Sequence, residues 1–420
     1  MIVKPLDIVL FCTYFILLFF SIFWLLVLFF SEGEKEKKTL TRKPFFTTIV
    51  PAYNEERSIV ETLTSLINLD YFKEKMEIIV VNDGSTDNTQ SLVEEFITNN
   101  PGREITLINQ NNHGKGRAMN VALEVAKGEF FACLDADSFV SQNAIKEMLP
   151  YFEADQNVAA VCPTLKVKKP SNILQKVQWF EYIINMFYKF LNSKVDCIHV
   201  TPGPFSVYRT KVIKDLGGFD EHTITEDLEI AMRLQKHHYK IMQTFDVIVN
   251  TVTPQTWKAL FLQRIRWYKG SVDNTINYRK IMFKKEYGDY GYLRMPTVIL
   301  SGIIAVILFA TLFQDLVTKI IQWVASLAAV NFDIWTLIKN YSFEFNYLSL
   351  PFAKLFIAAT LLSISLFVMI YSYKIVQEKI NNHGRTLTGL VTYLFMYGIF
   401  MTFVWVYIAF IIVTKKKNTW

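Results

Sequence analysis

Glu129 to Asp137 reads EFFACLDAD: an apolar run that ends in two aspartates, Asp135 and Asp137, with one residue between them. Phe130, Phe131 and Leu134 make Glu129–Leu134 an apolar strand. Strand side chains alternate, so positions 135 and 137 project to the same side of the extended chain. Two carboxylates placed this way form a hard-oxygen site for Mg2+ or Mn2+; a pair of solvated turn aspartates is the plain alternative. Outward from this stretch the same pattern recurs, short β-rich runs alternating with helical stretches. Further strands are expected at Phe46–Pro51, Met76–Asn82, Glu104–Asn109 and Val158–Val167, and helices at Glu56–Leu69, Thr86–Phe96, Gly116–Ala126 and Gln142–Tyr151. The alternation, running from Phe45 to about Asn250, argues an α/β domain with a mostly parallel sheet and crossover helices. Such sheets bind ligands beyond the carboxyl ends of their strands, which is where the polar motifs of this chain cluster.

Around that domain the composition changes. Of 420 residues, 51% are hydrophobic and 20% charged, and there are 35 Phe, 20 Tyr and 8 Trp. A soluble core of this size does not hide so many aromatics, so part of the chain faces lipid, which excludes an ordinary cytosolic enzyme. Four cysteines without paired or ligand spacing exclude a disulfide scaffold and a zinc site. The net charge of +6 suits a membrane surface better than nucleic acid. Ile8–Ser31 is uncharged and long enough to cross a bilayer core of ~20 residues. Lys35, Lys37, Lys38, Arg42 and Lys43 follow it and mark its cytoplasmic flank. Later apolar stretches at Met295–Phe313, Leu348–Tyr371 and Thr386–Val413 give four spans, with Lys374, Lys379 and Arg385 on a cytoplasmic loop. Ile320–Phe332 is short for a span and reads as re-entrant or interfacial; if it crosses, there are five. On a four-span count Lys415, Lys416 and Lys417 fall outside, against the charge rule.

The chain therefore divides into a first span (1–31), a basic linker (32–44), the α/β domain (45–252, with an interface helix at 172–192), a second interface region (253–293), a transmembrane region of three or four spans (294–413) and a basic tail (414–420).

Several motifs carry chemistry, each with a plainer reading beside it. PAYNE (51–55) and NDGSTD (82–87) follow the first two strands. A carboxylate such as Asp83 before Gly and small polar residues suits a base or ribose, or else a turn with Thr86 or Asp87 capping the next helix. Gly114-Lys115-Gly116-Arg117 opens a helix, a cationic N-terminus suited to a diphosphate, without P-loop spacing. Thr225-Glu226-Asp227 precedes an amphipathic stretch: Thr225 is a candidate N-cap and one carboxylate a candidate general base. In QRIRW (263–267), on a helix starting near Thr256, Gln263, Arg266 and Trp267 share a face. There an arginine can fork onto phosphate and an indole can stack on a sugar, although an interfacial helix with an aromatic anchor fits the same residues.

Taken in order, PAYNE, VVNDGST, GKG, DAD, GPFSVYR, TED and QRIRW between apolar segments resemble the membrane-bound family 2 glycosyltransferases of the GT-A fold, the group of poly-N-acetylglucosamine, chitin-oligosaccharide, hyaluronan and cellulose synthases. The resemblance implies a Rossmann-like cytoplasmic GT-A domain inserted between an N-terminal transmembrane helix and a C-terminal bundle. It implies that Pro51, Tyr53, Glu55, Asp83, Lys115, Asp135 and Arg266 bind a UDP-sugar, and that Asp135 and Asp137 hold Mg2+ or Mn2+. Asp227 would be the catalytic base, and Gly203, Pro204, Phe205, Gln263 and Trp267 would face the acceptor. The Gly203-Pro204 start resembles hyaluronan and chitin-oligosaccharide synthases, whereas QRIRW and Ile224-TED resemble poly-N-acetylglucosamine synthases. The long C-terminal extension of cellulose synthases is lacking. The implied reaction is an inverting transfer from a UDP-sugar, UDP-N-acetylglucosamine first among the donors, to a growing polysaccharide in the cell membrane, with an accessory export protein as a further partner. A non-processive enzyme adding one sugar to a lipid-linked acceptor is the alternative, and a nucleotide-sensing transporter a more distant one.

Overall fold

The computed structural model describes residues 5–30, 40–339, 352–379 and 386–414. Lys35, Lys37, Lys38, Arg385 and Lys415–Lys417, used above for orientation, lie outside the described residues.

Helix α1 (Pro5–Phe30) precedes the α/β domain. The domain begins with β1 (Phe46–Ala52), α2 (Ile59–Ile67), β2 (Met76–Asp83), α3 (Thr89–Asn99), β3 (Glu104–Gln110), α4 (Lys115–Val125) and β4 (Phe130–Cys133). It continues through β5 (Ser138–Val140), α5 (Ala144–Ala154), β6 (Val158–Val167), α6 (Ile173–Lys194), β7 (Val207–Arg209), α7 (Thr210–Asp215), α8 (Glu226–Lys236) and β8 (Lys240–Thr251). One sheet runs in the order β3-β2-β1-β4-β7-β6-β8-β5. The first four strands are parallel, with Phe46 opposite both Met76 and Phe130. Both faces of β1, β2 and β4 are buried, which explains their near-continuous apolar sequences.

The sheet is more mixed than the sequence led us to expect. Strand β7 lies antiparallel between β4 and β6, and β5 is antiparallel to β8. Strands β5 and β7 have three residues each, too few for a sequence periodicity to show. Strand β8 also lies outside the five expected strands; it pairs parallel with β6 through two register shifts. The reversal between β4 and β7 places a break in strand direction beside the carboxyl ends of β1, β2 and β4.

Alternate strand residues feed opposite cores. Phe46, Val50, Ile78, Val80, Phe130 and Leu134 pack with α2, α5 and α6, while Ile49, Ile79, Val81, Phe131 and Cys133 pack with α4 and α8. Helix α6 is not a one-sided surface helix. Trp179, Phe180, Ile183 and Met186 join the sheet core, and Phe187 and Leu191 pack with Trp24, Leu25 and Leu28 of α1.

Beyond the sheet come α9 (Trp257–Asn277), a π-helical turn at Tyr290–Arg294, α10 (Met295–Ala329), α11 (Ile334–Lys339), α12 (Phe352–Ile375), α13 (Thr386–Thr392), a second π-turn at Tyr393–Tyr397 and α14 (Gly398–Thr414). Among the described residues four helical segments are long and apolar enough to cross a membrane: Ile8–Phe30, Tyr290–Ala329, Leu355–Ile375 and Leu387–Thr414. That count matches the four-span expectation, but the stretch after Phe313 differs. Helix α10 continues through Phe313 into the run read as re-entrant, so Ile320–Ala329 extends the second span as helix. At 1.5 Å per residue the 35 residues of α10 reach ~50 Å, well past a ~30 Å hydrocarbon core. Its exposed Asp315–Lys319 pair, 2.7 Å apart, is an i,i+4 pair of the kind found on a solvated helix face.

Candidate active site

The end of β2 enters a turn that requires glycine. Gly84 has φ +73°, and a Cβ there would lie 2.7 Å from the Asn112 nitrogen. Next to it, Asp83 is buried and braces the loop into α4. Its Oδ1 accepts from Gln110 Nε2 at 2.7 Å and from the His113 N–H at 2.9 Å, and its Oδ2 accepts from the Gly114 N–H at 2.9 Å. Oδ1 is filled by these two bonds, while Oδ2 keeps acceptor capacity for a ligand. The turn reading is realised as well, while the N-cap of α3 falls on Asn88: Asp87, one residue earlier, accepts from the Thr89 N–H at 3.0 Å and from the Glu56 N–H at 3.1 Å. Pro51 sits in the β1 ladder opposite Val81, and Tyr53 is 48% exposed beside it. The Glu55 carboxylate accepts from Ser58 Oγ at 2.6 Å. Burial raises its pKa above the ordinary range, Ser58 opposes, and Asp135 and Asp87 add to the rise.

Four motifs far apart in sequence meet at Lys115. Its Nζ lies 2.6 Å from Asp135 Oδ1 and 3.1 Å from Glu226 Oε1. Burial opposes its charge, but Asp135, Glu226 and Asp227 hold its pKa well above the ordinary lysine value. Gly203 comes against the same pair: a Cβ there would lie 2.6 Å from Lys115 Nζ and 3.1 Å from both Asp135 oxygens. Glycine is required by this close approach. Asp135 and Asp137 flank the buried Ala136, but they lie past the end of β4 with Asp137 in a turn, not on the extended strand the sequence suggested. Ser138 Oγ donates to Asp137 Oδ1 at 3.1 Å, while burial, then Asp135 and Glu55, push the Asp137 pKa up to about 6.

Asp227 stands at the start of α8. Its Oδ1 accepts from the Leu228 N–H at 2.9 Å, and its carbonyl accepts from Thr201 N–H and Oγ1 at 3.1 and 2.9 Å. Burial and Glu226 push its pKa up to about 6, against the pull of Lys115. Thr225 occupies the N-cap position but makes no side-chain cap. Its Oγ1 instead accepts from Asn274 Nδ2 at 3.1 Å, which ties α8 to α9. Gly270 permits that approach, since a Cβ there would lie 2.4 Å from Thr225 Oγ1.

Helix α9 starts where the sequence places it, capped by Thr256 Oγ1 accepting from the Ala259 N–H at 3.3 Å. Arg266 is exposed and Gln263 and Trp267 are partly buried. The intervening Arg264, not singled out from the sequence, is fully buried and forks onto Glu181 of α6. One signal pointed there: Glu181 is the single acidic residue in the apolar α6, and a buried carboxylate requires a partner. Tyr182 lies within reach of both groups. Burial pushes its pKa up to about 12, Arg264 opposes, and Glu181, Asp137 and Asp135 add to the rise. Phe205, expected to face an acceptor, turns the other way. Its ring is fully buried and stacks on Phe46 with centroids 6.3 Å apart, at a backbone φ of +58°. Only its backbone faces the cluster, its N–H donating to the Cys133 carbonyl at 2.6 Å.

Among the described residues no three His, Cys, Asp or Glu side chains converge as a metal shell. Asp135 and Asp137 do fit a hard cation that takes few protein ligands and completes its shell with phosphate oxygens. Burial first, and then the charges of Asp135 and Glu55, raise the Asp137 pKa, with Lys115 opposing.

Residues 47–217 match the family model described as glycosyl transferase family 2. The poly-beta-1,6-N-acetyl-D-glucosamine synthase of Staphylococcus aureus (strain COL) is 31% identical over 263 residues, and that of Staphylococcus epidermidis 30% over 264. Each match covers 60% of this chain and 63% of the relative, so the chain spans under two thirds of the length of these curated relatives. The mannosyltransferase of Pyrobaculum calidifontis, solved with GDP-Man and Mn2+, superposes with a TM-score of 0.59 at 21% identity, covering 92% of this chain and 95% of that one. That likeness is one of fold, and it extends from the sheet into the apolar helices. Residues 47–217, which carry the Asp83, Lys115 and Asp135 loops at one edge of the mixed Rossmann-like sheet, are thus similar to glycosyl transferase family 2.

Proposed function

We propose that this chain is an inverting membrane glycosyltransferase that moves N-acetylglucosamine from UDP-N-acetylglucosamine onto a growing polysaccharide and releases UDP. The observation that carries the reading is the meeting of GKG, DAD and TED at Lys115, with Asp135 at 2.6 Å and Glu226 at 3.1 Å and the bare Gly203 of GPF packed against the pair, in a chain 31% identical to a poly-N-acetylglucosamine synthase over 263 residues. The site faces the cytoplasm, where nucleotide sugars are made, and the four apolar helices lie in the cell membrane.

In this mechanism Asp83, with Pro51, Tyr53 and Glu55, receives the uridine. The Asp227 carboxylate takes the proton of an acceptor hydroxyl. That oxygen attacks the anomeric carbon from the face opposite the diphosphate, the bond from carbon to diphosphate oxygen breaks, and the configuration inverts. Lys115 and Arg266 balance the charge that grows on the departing diphosphate. Asp135 and Asp137 would hold Mg2+ or Mn2+, which would neutralise diphosphate charge when bound. Gln263 and Trp267, with the backbone of Gly203 and Pro204, orient the acceptor sugar, so positioning carries part of the barrier.

The test is UDP release by detergent-purified protein given UDP-GlcNAc, UDP-GlcA, UDP-Glc or UDP-Gal with Mg2+ or Mn2+, with products sized on a gel. A long product from UDP-GlcNAc alone is expected. A single-sugar lipid would replace this reading with the non-processive one, and a required donor pair would point to an alternating polymer.

A further inference from the structure

Arg264 has no part in the chemistry above, yet among the described residues it is the largest fully buried side chain. Its guanidinium binds four groups from three elements. Nε lies 3.0 Å from Glu181 Oε1, and the terminal nitrogen Nη2 bonds Glu181 Oε2, an ion pair with α6. Nε also lies 3.2 Å from the Tyr397 hydroxyl, in the π-turn of the last apolar segment. Nη1 donates to Gln263 Oε1 at 2.5 Å, and the guanidinium carbon sits 4.3 Å from the centre of the Trp267 ring. Arg264 therefore grips both side chains that would meet the acceptor sugar. The π-turn is itself held in place. Tyr397 stacks on Tyr393 at 5.4 Å and on Phe400 at 5.8 Å, and Tyr393 stacks on Phe180 of α6 at 6.0 Å. Turns of this kind inside helices recur at functional positions.

A core could fill this volume with leucine or methionine at no loss of stability, since burying an ion pair rarely gains on apolar packing. What the guanidinium supplies is direction: a planar fork fixes two partners at set angles, and its face fixes an indole. We propose that Arg264 is a positioning residue. It sets the pose of Gln263 and Trp267 at the acceptor site and, through Tyr397 and Glu181, locks that pose to the last membrane segment and to α6. The inference rests on the acceptor-side reading of Gln263 and Trp267 given above. It makes the acceptor subsite and the membrane helix beside it one mechanical unit.

Arg264→Ala would strand the Glu181 carboxylate in the core and endanger folding, so two gentler variants carry the test. Arg264→Met with Glu181→Leu removes the pair without leaving a charge, and Tyr397→Phe removes one hydrogen bond. UDP release is measured while UDP-GlcNAc and a β-linked N-acetylglucosamine oligomer are varied in turn, with product lengths read on the same samples. For the double variant the acceptor KM is expected to rise about tenfold or more and the products to shorten, while the donor KM stays within about twofold. Tyr397→Phe is expected to raise the acceptor KM about two- to threefold with the donor KM unmoved. If both constants and the product length stay at their original values, Arg264 only fills space and the proposal fails. Donor and acceptor constants rising together would also overturn it, because that is general disruption of the site. Polymer made by the unmodified chain tests the reading of function; the ratio of variant to unmodified constants tests this inference.

Discussion

Asp227 and Glu226 are neighbours in sequence that divide their work through one lysine. Glu226 holds Lys115 at 3.1 Å, and its charge, after burial, raises the Asp227 carboxyl from the ordinary aspartate range up to about 6. Two opposite pH dependences follow. Ionising Asp227 is harder in the folded chain, so its contribution to stability is complete below about 4 and is lost as pH rises through about 6. A base works only as the carboxylate, so kcat/KM for transfer should fall as pH drops through about 6. Glu226→Gln removes the neighbouring charge and should move this acidic limb to lower pH, read from UDP-release rates between about pH 5 and about pH 8. A limb that stays in place would mean Glu226 does not tune the base. Asp227→Asn should keep UDP-GlcNAc binding and lower transfer by ~10² or more, and near-normal turnover would remove Asp227 from the base role. Gly203→Ala tests the cluster from the backbone side. Its methyl would press on Lys115 and Asp135, so activity should fall at least ~10-fold with circular dichroism unchanged.

Between elements, the seating of α9 on α8 depends on Gly270 and Asn274. Gly270→Ala places a methyl 2.4 Å from Thr225 Oγ1 and 2.6 Å from Thr225 Cγ2, so the helices must part or Thr225 must turn away from Asn274. Overpacking of this kind costs about 1–3 kcal/mol, and thermal unfolding should show a lower midpoint together with slower UDP release. An unchanged midpoint would show that the helices have slack at this contact. Here too lies the boundary of what sequence discloses. The strands of the parallel half and the caps at Gly114 and Thr256 were legible, because periodicity and turn chemistry are local. Strand β7 and the Thr225 contact were not. Three residues carry no period, and a threonine before an acidic turn reads as a cap until an asparagine 49 residues later donates to it. Phe205 misled for a related reason. Its motif sits at the site, but the left-handed φ of +58° turns its ring into the core. Arg264 was hidden inside a motif whose other members drew the eye, since its partner Glu181 is 83 residues away.

Across the whole molecule, the sheet and the apolar helices share one core. Met369, Tyr373 and Val376 at the end of α12 pack with the sheet cluster, and Lys166 of β6 lies 2.8 Å from Glu378 just beyond that helix. The turn after α12 is therefore on the same side as the catalytic domain, as its basic residues suggested. At the other end of the argument stands α10. Met295 is fully buried against Leu228 and Met232 of α8, which fixes the start of the helix to the catalytic side. Asp315 follows twenty residues later, ~30 Å along the axis, about the thickness of the hydrocarbon core. The exposed Asp315–Lys319 pair should thus emerge on the far side of the membrane. Single-cysteine labelling checks this directly. Three of the four native cysteines are buried and Cys12 is exposed, so Cys12→Ser supplies the background. Asp315→Cys should react with a membrane-impermeant maleimide in intact cells, while Lys379→Cys should react only after the membrane is opened. Labelling of both from outside would mean that α10 does not cross between Met295 and Asp315. The reverse pattern would turn the chain over and put the catalytic domain on the wrong side for a cytoplasmic nucleotide sugar.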